Sequence, residues 1–263
     1  MKAWPLRHEG RENKNPGPEE LKVGFCSSYR AEQESETETS MAPYHIRRYQ
    51  DHDWQTVREI VSQGLLNNAP SDFWHMLIKP RTFLVLLGVP FALILASGSI
   101  LLSLLSFLGL LAGQWLTFRH LVIKFIDNFL RTDLLDIQKS YLSSRGSSFF
   151  VSESENQVVG TVGARPAKTP IGRGKYLELQ RLSVKKSHQG QGIARALIQT
   201  VIQFAQDQGY DGVLLETAGS NHRAQRLYES LGFWKFHESG CYLKWRLAFF
   251  PVWHYRCDIS SRS

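Results

Sequence analysis

The chain has 263 residues, enough for one ordinary domain and an accessory segment. With 43% hydrophobic and 21% charged residues it has the composition of an ordered protein with a core, which excludes a chain disordered throughout. The net charge of +7 suits nucleic acid, an anionic membrane surface or a polyanionic ligand without choosing among them, while three cysteines lacking any short spacing argue against a disulfide framework or a zinc site.

Residues 1–40 are polar and end in the acidic run AEQESETETS. They cannot bury enough apolar surface to fold alone and read as a disordered tail. From Met41 the pattern changes. Tyr44–Tyr49 alternates like a strand, and Asp51 and Asp53 are placed to cap a helix that carries Val57, Ile60, Val61 and Leu65 on one face.

From Thr82 to Phe118 not one side chain is charged. Roughly twenty apolar residues already span a bilayer, so this stretch reads as a membrane segment. It is too far from the start to be a cleaved signal. As one straight helix it would be about 55 Å long, against a hydrocarbon core of roughly 30 Å. Ser97-Gly98-Ser99 near its middle offers a turn, and both flanks are basic (Lys79 and Arg81 before; Arg119, Lys124 and Arg131 after). The expectation is a helical hairpin with both flanks in the cytoplasm; one tilted span is the alternative.

Beyond it, Phe125 to Leu142 has a helical pattern. Ser148–Glu153 and Gln157–Val162 read as a hairpin of strands turning at Glu155-Asn156. Leu177–Val184 reads as a strand, 192–208 as a helix and Val213–Thr217 as a buried strand. Residues 221–231 read as a short helix and 241–249 as a last strand. There is no Asn-x-Ser/Thr acceptor and no internal repeat.

The informative stretch is strand, Gly-rich turn, helix over residues 177–208. The turn reads Gln189-Gly190-Gln191-Gly192-Ile193-Ala194. Glycines let a backbone approach a ligand closely, and the helix that follows offers unpaired N–H groups and a positive dipole end, which together make a phosphate or pyrophosphate site. The spacing is neither a dinucleotide fingerprint nor a P-loop. A tight connection with no ligand is the plain alternative.

The pattern Gln-x-x-Gly-x-Ala resembles the acyl-CoA pyrophosphate loop of the GNAT acetyltransferase superfamily. Asn221-x-x-Ala224-x-x-x-Tyr228-x-x-x-Gly232-Phe233 resembles its second motif. An uncharged segment inserted after the first helix, with MAPYHIRRYQ, RTDLLDIQKSYL, VVGTVGA, LSVKKSHQGQGIARAL and FAQDQGY, is similar to the camello-like N-acetyltransferases, the N-acetyltransferase eight family. The resemblance runs from Met41 to about Phe249. It implies an α/β (α+β mixed-sheet) GNAT fold carrying a membrane helix or helical hairpin. Residues 41–81 would be its first strand and helix, 82–118 the membrane segment and 119–263 the main part of the domain.

The resemblance also implies the site. Pantetheine would meet the backbone of Leu182 and Val184, and the pyrophosphate the amides of Gln189, Gly190, Gln191, Gly192, Ile193, Ala194 and Arg195. Asn221 would be a further cofactor-binding residue, and Lys185 and Lys186 could meet phosphates. Tyr228 matches the tyrosine that protonates the departing thiolate, or one that only packs the cofactor. Glu178 is the first candidate base and Glu216 the second; each has a salt bridge, to Arg181 or Lys175, as its structural alternative.

The implied activity is transfer of the acetyl group of acetyl-CoA to an amine, with no metal. The acceptor is either a small amino-acid derivative such as a cysteine S-conjugate, or aspartate, or a protein lysine including histone lysine. Partners are then the amine substrate and a lipid bilayer, in the endoplasmic reticulum membrane, and not nucleic acid. The alternative from another class is an inactive acyl-CoA-binding membrane module.

Overall fold

A computed structural model describes residues 44–78, 80–168, 174–242 and 249–259. The tail expected over residues 1–40 lies outside them. Twelve elements carry the architecture. They are β1 (His45–Arg48), α1 (Trp54–Leu77), α2 (Pro80–Ser97), α3 (Ile100–Leu130), β2 (Ser148–Ser154), β3 (Gln157–Pro166), β4 (Tyr176–Val184), α4 (Ile193–Asp207), β5 (Gly212–Ala218), α5 (His222–Ser230), β6 (Trp234–Tyr242) and β7 (Phe249–Asp258).

The seven strands form one sheet in the order β1-β2-β3-β4-β5-β7-β6. Every neighbouring pair is antiparallel except β4 with β5. Successive side chains on a strand point to opposite faces, so each face gathers its own core. On one face α4 and α5 bury Leu197, Val201, Tyr228 and Leu231 against Leu177, Leu179, Val213, Leu215 and Tyr255. On the other, Val57, Ile60 and Val61 of α1, with Leu134, Ile137 and Tyr141, cover Phe149, Val151 and Val158.

Local chemistry accounts for most of the elements. Glu155 and Asn156 both adopt positive φ (50° and 59°), as a two-residue turn between strands of right-handed twist requires. Asp53 ends the turn before α1 and is gripped by Arg47 through both oxygens, at 2.7 and 2.8 Å, while accepting the N–H of Gln50 at 2.9 Å.

The uncharged segment is two antiparallel helices, α2 and α3, that reverse at Gly98 (φ +67°). Ser99 caps α3 by accepting the N–H of Leu102, and Ser103 donates to the carbonyl of Pro90 across the pair. The outward side chains are apolar: Leu84, Leu95 and Ile100 are each at least 69% exposed. α3 is long and apolar enough to cross a membrane. Its middle packs on α1, where Phe73 meets Trp115 and Phe118 with ring centroids 4.9 and 5.3 Å apart.

Two expectations are corrected. The helical pattern of 125–142 is broken: α3 ends at Leu130, and after a turn only Gln138–Leu142 is helical again. The last strand is β7, beginning at Phe249, where one over 241–249 was expected: Cys241 and Tyr242 close β6, residues 243–248 lie outside the described residues, and β7 runs antiparallel between β5 and β6.

Candidate active site

β4 and β5 pair in parallel only from Tyr176↔Gly212 to Leu179↔Leu215. Above that level β4 stays with β3 and β5 with β7, so the sheet splits. The cause lies in β4. Between the pairs Gly163↔Gln180 and Thr161↔Ser183, two β4 residues, Arg181 and Leu182, oppose the single β3 residue Val162. Arg181 takes φ +59°, and a bulge of this kind bends its strand. The Lys185 N–H donates to the carbonyl of Val159 on β3, so by strand alternation Leu182 and Val184 turn their backbone groups to the open edge. The Val184 carbonyl there accepts from the Gln189 side chain at 3.1 Å.

The loop from Gln189 to Gly192 follows directly. Gly190 and Gly192 have φ of +85° and +81°, a region that L side chains rarely enter. A Cβ on Gly190 would meet nothing within 4 Å, and one on Gly192 would meet only the Tyr44 hydroxyl at 3.6 Å. Gly192 is the N-cap of α4, so the amides of Ile193, Ala194 and Arg195 point out of the first turn without intrahelical partners. A left-handed backbone with open space at the positive end of a helix is a fit for a pyrophosphate. Arg223 holds Gln189 from α5 at 3.0 Å, and Arg195 donates to Ser230 at 2.9 Å, which ties the two helices beside the loop. Asn221 caps α5 by accepting the N–H of Ala224 at 3.2 Å.

Tyr228 lies in α5 with its ring 5.9 Å from Tyr255 and 6.1 Å from Phe233. Burial, with a smaller contribution from Tyr255, pushes its phenol up, so it stays protonated throughout the neutral range.

On the opposite face of the split sheet stand both carboxylates. Glu178 sits 3.8 Å from Arg165, its cross-strand neighbour, rather than beside Arg181 or Lys175. Arg181 is committed elsewhere. It grips the buried Asp133 with Nε at 2.8 Å and with a second nitrogen, and its guanidinium lies 3.4 Å from the Phe129 ring centroid. Glu216 is the first β5 residue above the last pair with β4 and is met at 3.2 Å by Nδ1 of His254. Asp133, Tyr141, His254 and Ser239 were not singled out from the sequence, since each is identified only by a partner distant along the chain. Among the described residues no group of three or more His, Cys, Asp or Glu is placed to hold a metal.

Helix α1 is fastened on both sides of the split. Ser183 of β4 donates to the carbonyl of Ile60 at 3.0 Å, and Ser220, just past β5, donates to Asp72. Gly64 allows the first contact, since a Cβ there would run into the Ser183 hydroxyl.

The sequence pattern of the acetyltransferase (GNAT) family matches residues 115–233. The chain is similar to human N-acetyltransferase 8B, with 48% identity over 219 residues that cover 83% of this chain and 92% of that one. It is 50% identical over 215 residues to rat N-acetyltransferase 8F1, covering 79% and 94%. Among solved structures, a putative phosphinothricin N-acetyltransferase superposes with a TM-score of 0.51 at 12% identity, covering 83% of this chain and 99% of that one, a likeness of fold alone.

Proposed function

The chain belongs to the N-acetyltransferase 8 family and is an acetyl-CoA-dependent N-acetyltransferase, and on that premise we propose a membrane-anchored enzyme that acetylates the α-amino group of a small amphipathic amino-acid derivative such as a cysteine S-conjugate. The Gln189–Arg195 amides and the free edge at Leu182 and Val184 hold the acyl-CoA. Tyr228 gives a proton to the departing sulfur. The amine arrives on the other face, where Glu178 and Glu216 stand.

The observation that carries the substrate class is the placement of α1. The same helix bridges the split through Ser183 and Ser220 and packs its far end on the apolar hairpin through Phe73. The mouth of the acceptor side therefore adjoins the lipid-facing surface, a route suited to an amine with an apolar substituent. The exposed leucines of α2 and α3 have no covering element among the described residues, which supports burial in a bilayer. Basic residues at both ends of the hairpin favour the cytoplasmic side of an endoplasmic reticulum membrane.

The test is release of free coenzyme A from acetyl-CoA by the full-length protein with S-benzyl-cysteine, aspartate and a histone-tail peptide. Fastest turnover of S-benzyl-cysteine is expected. Preference for the peptide would move the assignment to protein lysine, and no release with any amine would leave only acyl-CoA binding.

A further inference from the structure

A hydrogen-bonded chain crosses three strands beside the split. Glu216 on β5 and His254 on β7 are directly paired across the ladder, and His237 of β6 completes the row. Nδ1 of His254 lies 3.2 Å from a Glu216 oxygen, and its Nε2 lies 2.8 Å from the hydroxyl of Ser239, two residues along β6 from His237. In the neutral tautomer with Nδ1 donating to the carboxylate, Nε2 accepts from the Ser239 hydroxyl. The ring is thus fixed at both nitrogens.

The order across the sheet gives each group its part. Leu215 is buried in the core under α4, so Glu216, its neighbour, projects from the opposite face. Of the three groups it stands nearest the split. Its carboxylate is 56% exposed, and His254 behind it is 19% exposed. Glu178 shares that face but lies below the split, is only 19% exposed, and has Arg165 beside it. The hydrogen bond from His254 also lowers the Glu216 carboxyl below its usual range, so it stands ready as an anion.

We propose that Glu216 is the catalytic residue that seats the acceptor ammonium and takes its proton, and that His254, oriented by Ser239, is the positioning residue that aims it. The assignment rests on the acetyltransferase reading given above. Glu216 accepts one proton as an N–H bond of the ammonium breaks, and passes it to solvent at the open face. The freed nitrogen lone pair forms the C–N bond while the C–S bond breaks. Tyr228, on the other face, gives its proton to the sulfur and regains one from the nitrogen. The sum is one amide, one thiol and one released proton.

The experiment uses the full-length protein with whichever of S-benzyl-cysteine, aspartate or histone-tail peptide the native enzyme acetylates fastest. Glu216→Gln should lower kcat by about 10²-fold or more while leaving coenzyme A affinity unchanged. His254→Ala should lower kcat and the double variant should be no worse than Glu216→Gln alone, because both changes disable one unit. His254→Asn keeps an N–H donor for the carboxylate and should recover part of the loss, which a purely structural histidine would not show. A Glu216→Gln enzyme within threefold of native kcat, or additive losses in the double variant, would overturn the assignment and leave the transferase reading intact. Native protein that binds coenzyme A and releases none with any of the three amines would overturn both.

Discussion

Asp133, three residues past the end of α3, holds the guanidinium of Arg181 with both carboxylate oxygens, at the residue where β4 bulges away from β5. The Tyr141 and Thr132 hydroxyls donate to the same carboxylate. The bond therefore joins the foot of the apolar hairpin to the strand whose free edge, at Leu182 and Val184, is the proposed acyl-CoA edge. Arg181 is a non-glycine residue in the left-handed region, a conformation that persists only where its surroundings enforce it.

Asp133→Asn should therefore impair the cofactor side before the acceptor side. It leaves a buried guanidinium without its counter-charge, a change that typically costs about 3–5 kcal/mol. With the bulge loosened, Leu182 and Val184 lose their fixed direction, and the apparent KM for acetyl-CoA should rise by roughly tenfold. Thermal melting and a coenzyme A titration of the variant check both; unchanged values would show the pair to be incidental.

The same pair carries a pH signature. Burial alone would raise the Asp133 carboxyl, but Arg181 first, then Tyr141 and Thr132, outweigh it and hold it at about 2. An unfolded carboxyl titrates near ~3.9. The folded value is the lower one, so this contribution is fully present above about pH 4 and is lost as pH falls towards about 2, with a size of about 2 kcal/mol. Native protein should lose more stability than Asp133→Asn between pH 5 and pH 2, measured by denaturant unfolding.

What the sequence discloses depends on how local the cause is. The Gln189–Ala194 loop, its helix and the Glu155-Asn156 turn are written in adjacent residues, and all three stand where the pattern puts them. The split and its chemistry are written in pairs far apart. Arg181 and Asp133 are 48 residues apart and His254 and Ser239 are 15 apart on different strands, so no spacing rule brings them together. The helical periodicity through 125–142 is real, since Leu134, Ile137 and Tyr141 are all buried. The helix nevertheless breaks so that Asp133 turns inward to Arg181, a tertiary demand that overrides propensity. β6 is faintly marked in the sequence because an edge strand needs little apolar patterning, and WKFHESGC offers little.

Replacing Gly192 by Val tests the loop. At φ +81° a β-branched residue is strained before any ligand arrives, and its side chain would occupy the space that is open beside the helix start. Coenzyme A affinity should fall by at least about tenfold, about 1.4 kcal/mol, because the isopropyl group takes the space a pyrophosphate would need. A folded variant with native affinity would place the pyrophosphate elsewhere.

Tyr228→Phe separates proton donation from packing. The ring contacts with Phe233 and Tyr255 survive the change, so the melting temperature should move little. If the phenol protonates the leaving sulfur, kcat should drop by about 10²–10⁴-fold at nearly constant KM for acetyl-CoA. A kcat within twofold of native would reduce Tyr228 to a packing residue.

The hairpin makes a prediction about sidedness. β1 pairs with β2 from Arg48↔Phe150 to His45↔Glu153, although α2 and α3 lie between them in the chain. A single crossing would put these partners on opposite sides of the bilayer and cost the ladder its hydrogen bonds. Two antiparallel helices reversing at Gly98 avoid that cost, and α2, at 18 residues, is about 27 Å long, close to the roughly 30 Å hydrocarbon core. Cysteines placed at the exposed positions Gln50 and Gln157 should both react with a membrane-impermeant maleimide from the cytoplasmic side of sealed microsomes. One at Ser99, at the tip, should be protected from that side. Labelling of Gln50 and Gln157 from opposite sides would exclude the hairpin in the membrane, and labelling of Ser99 together with both would take the segment out of the bilayer.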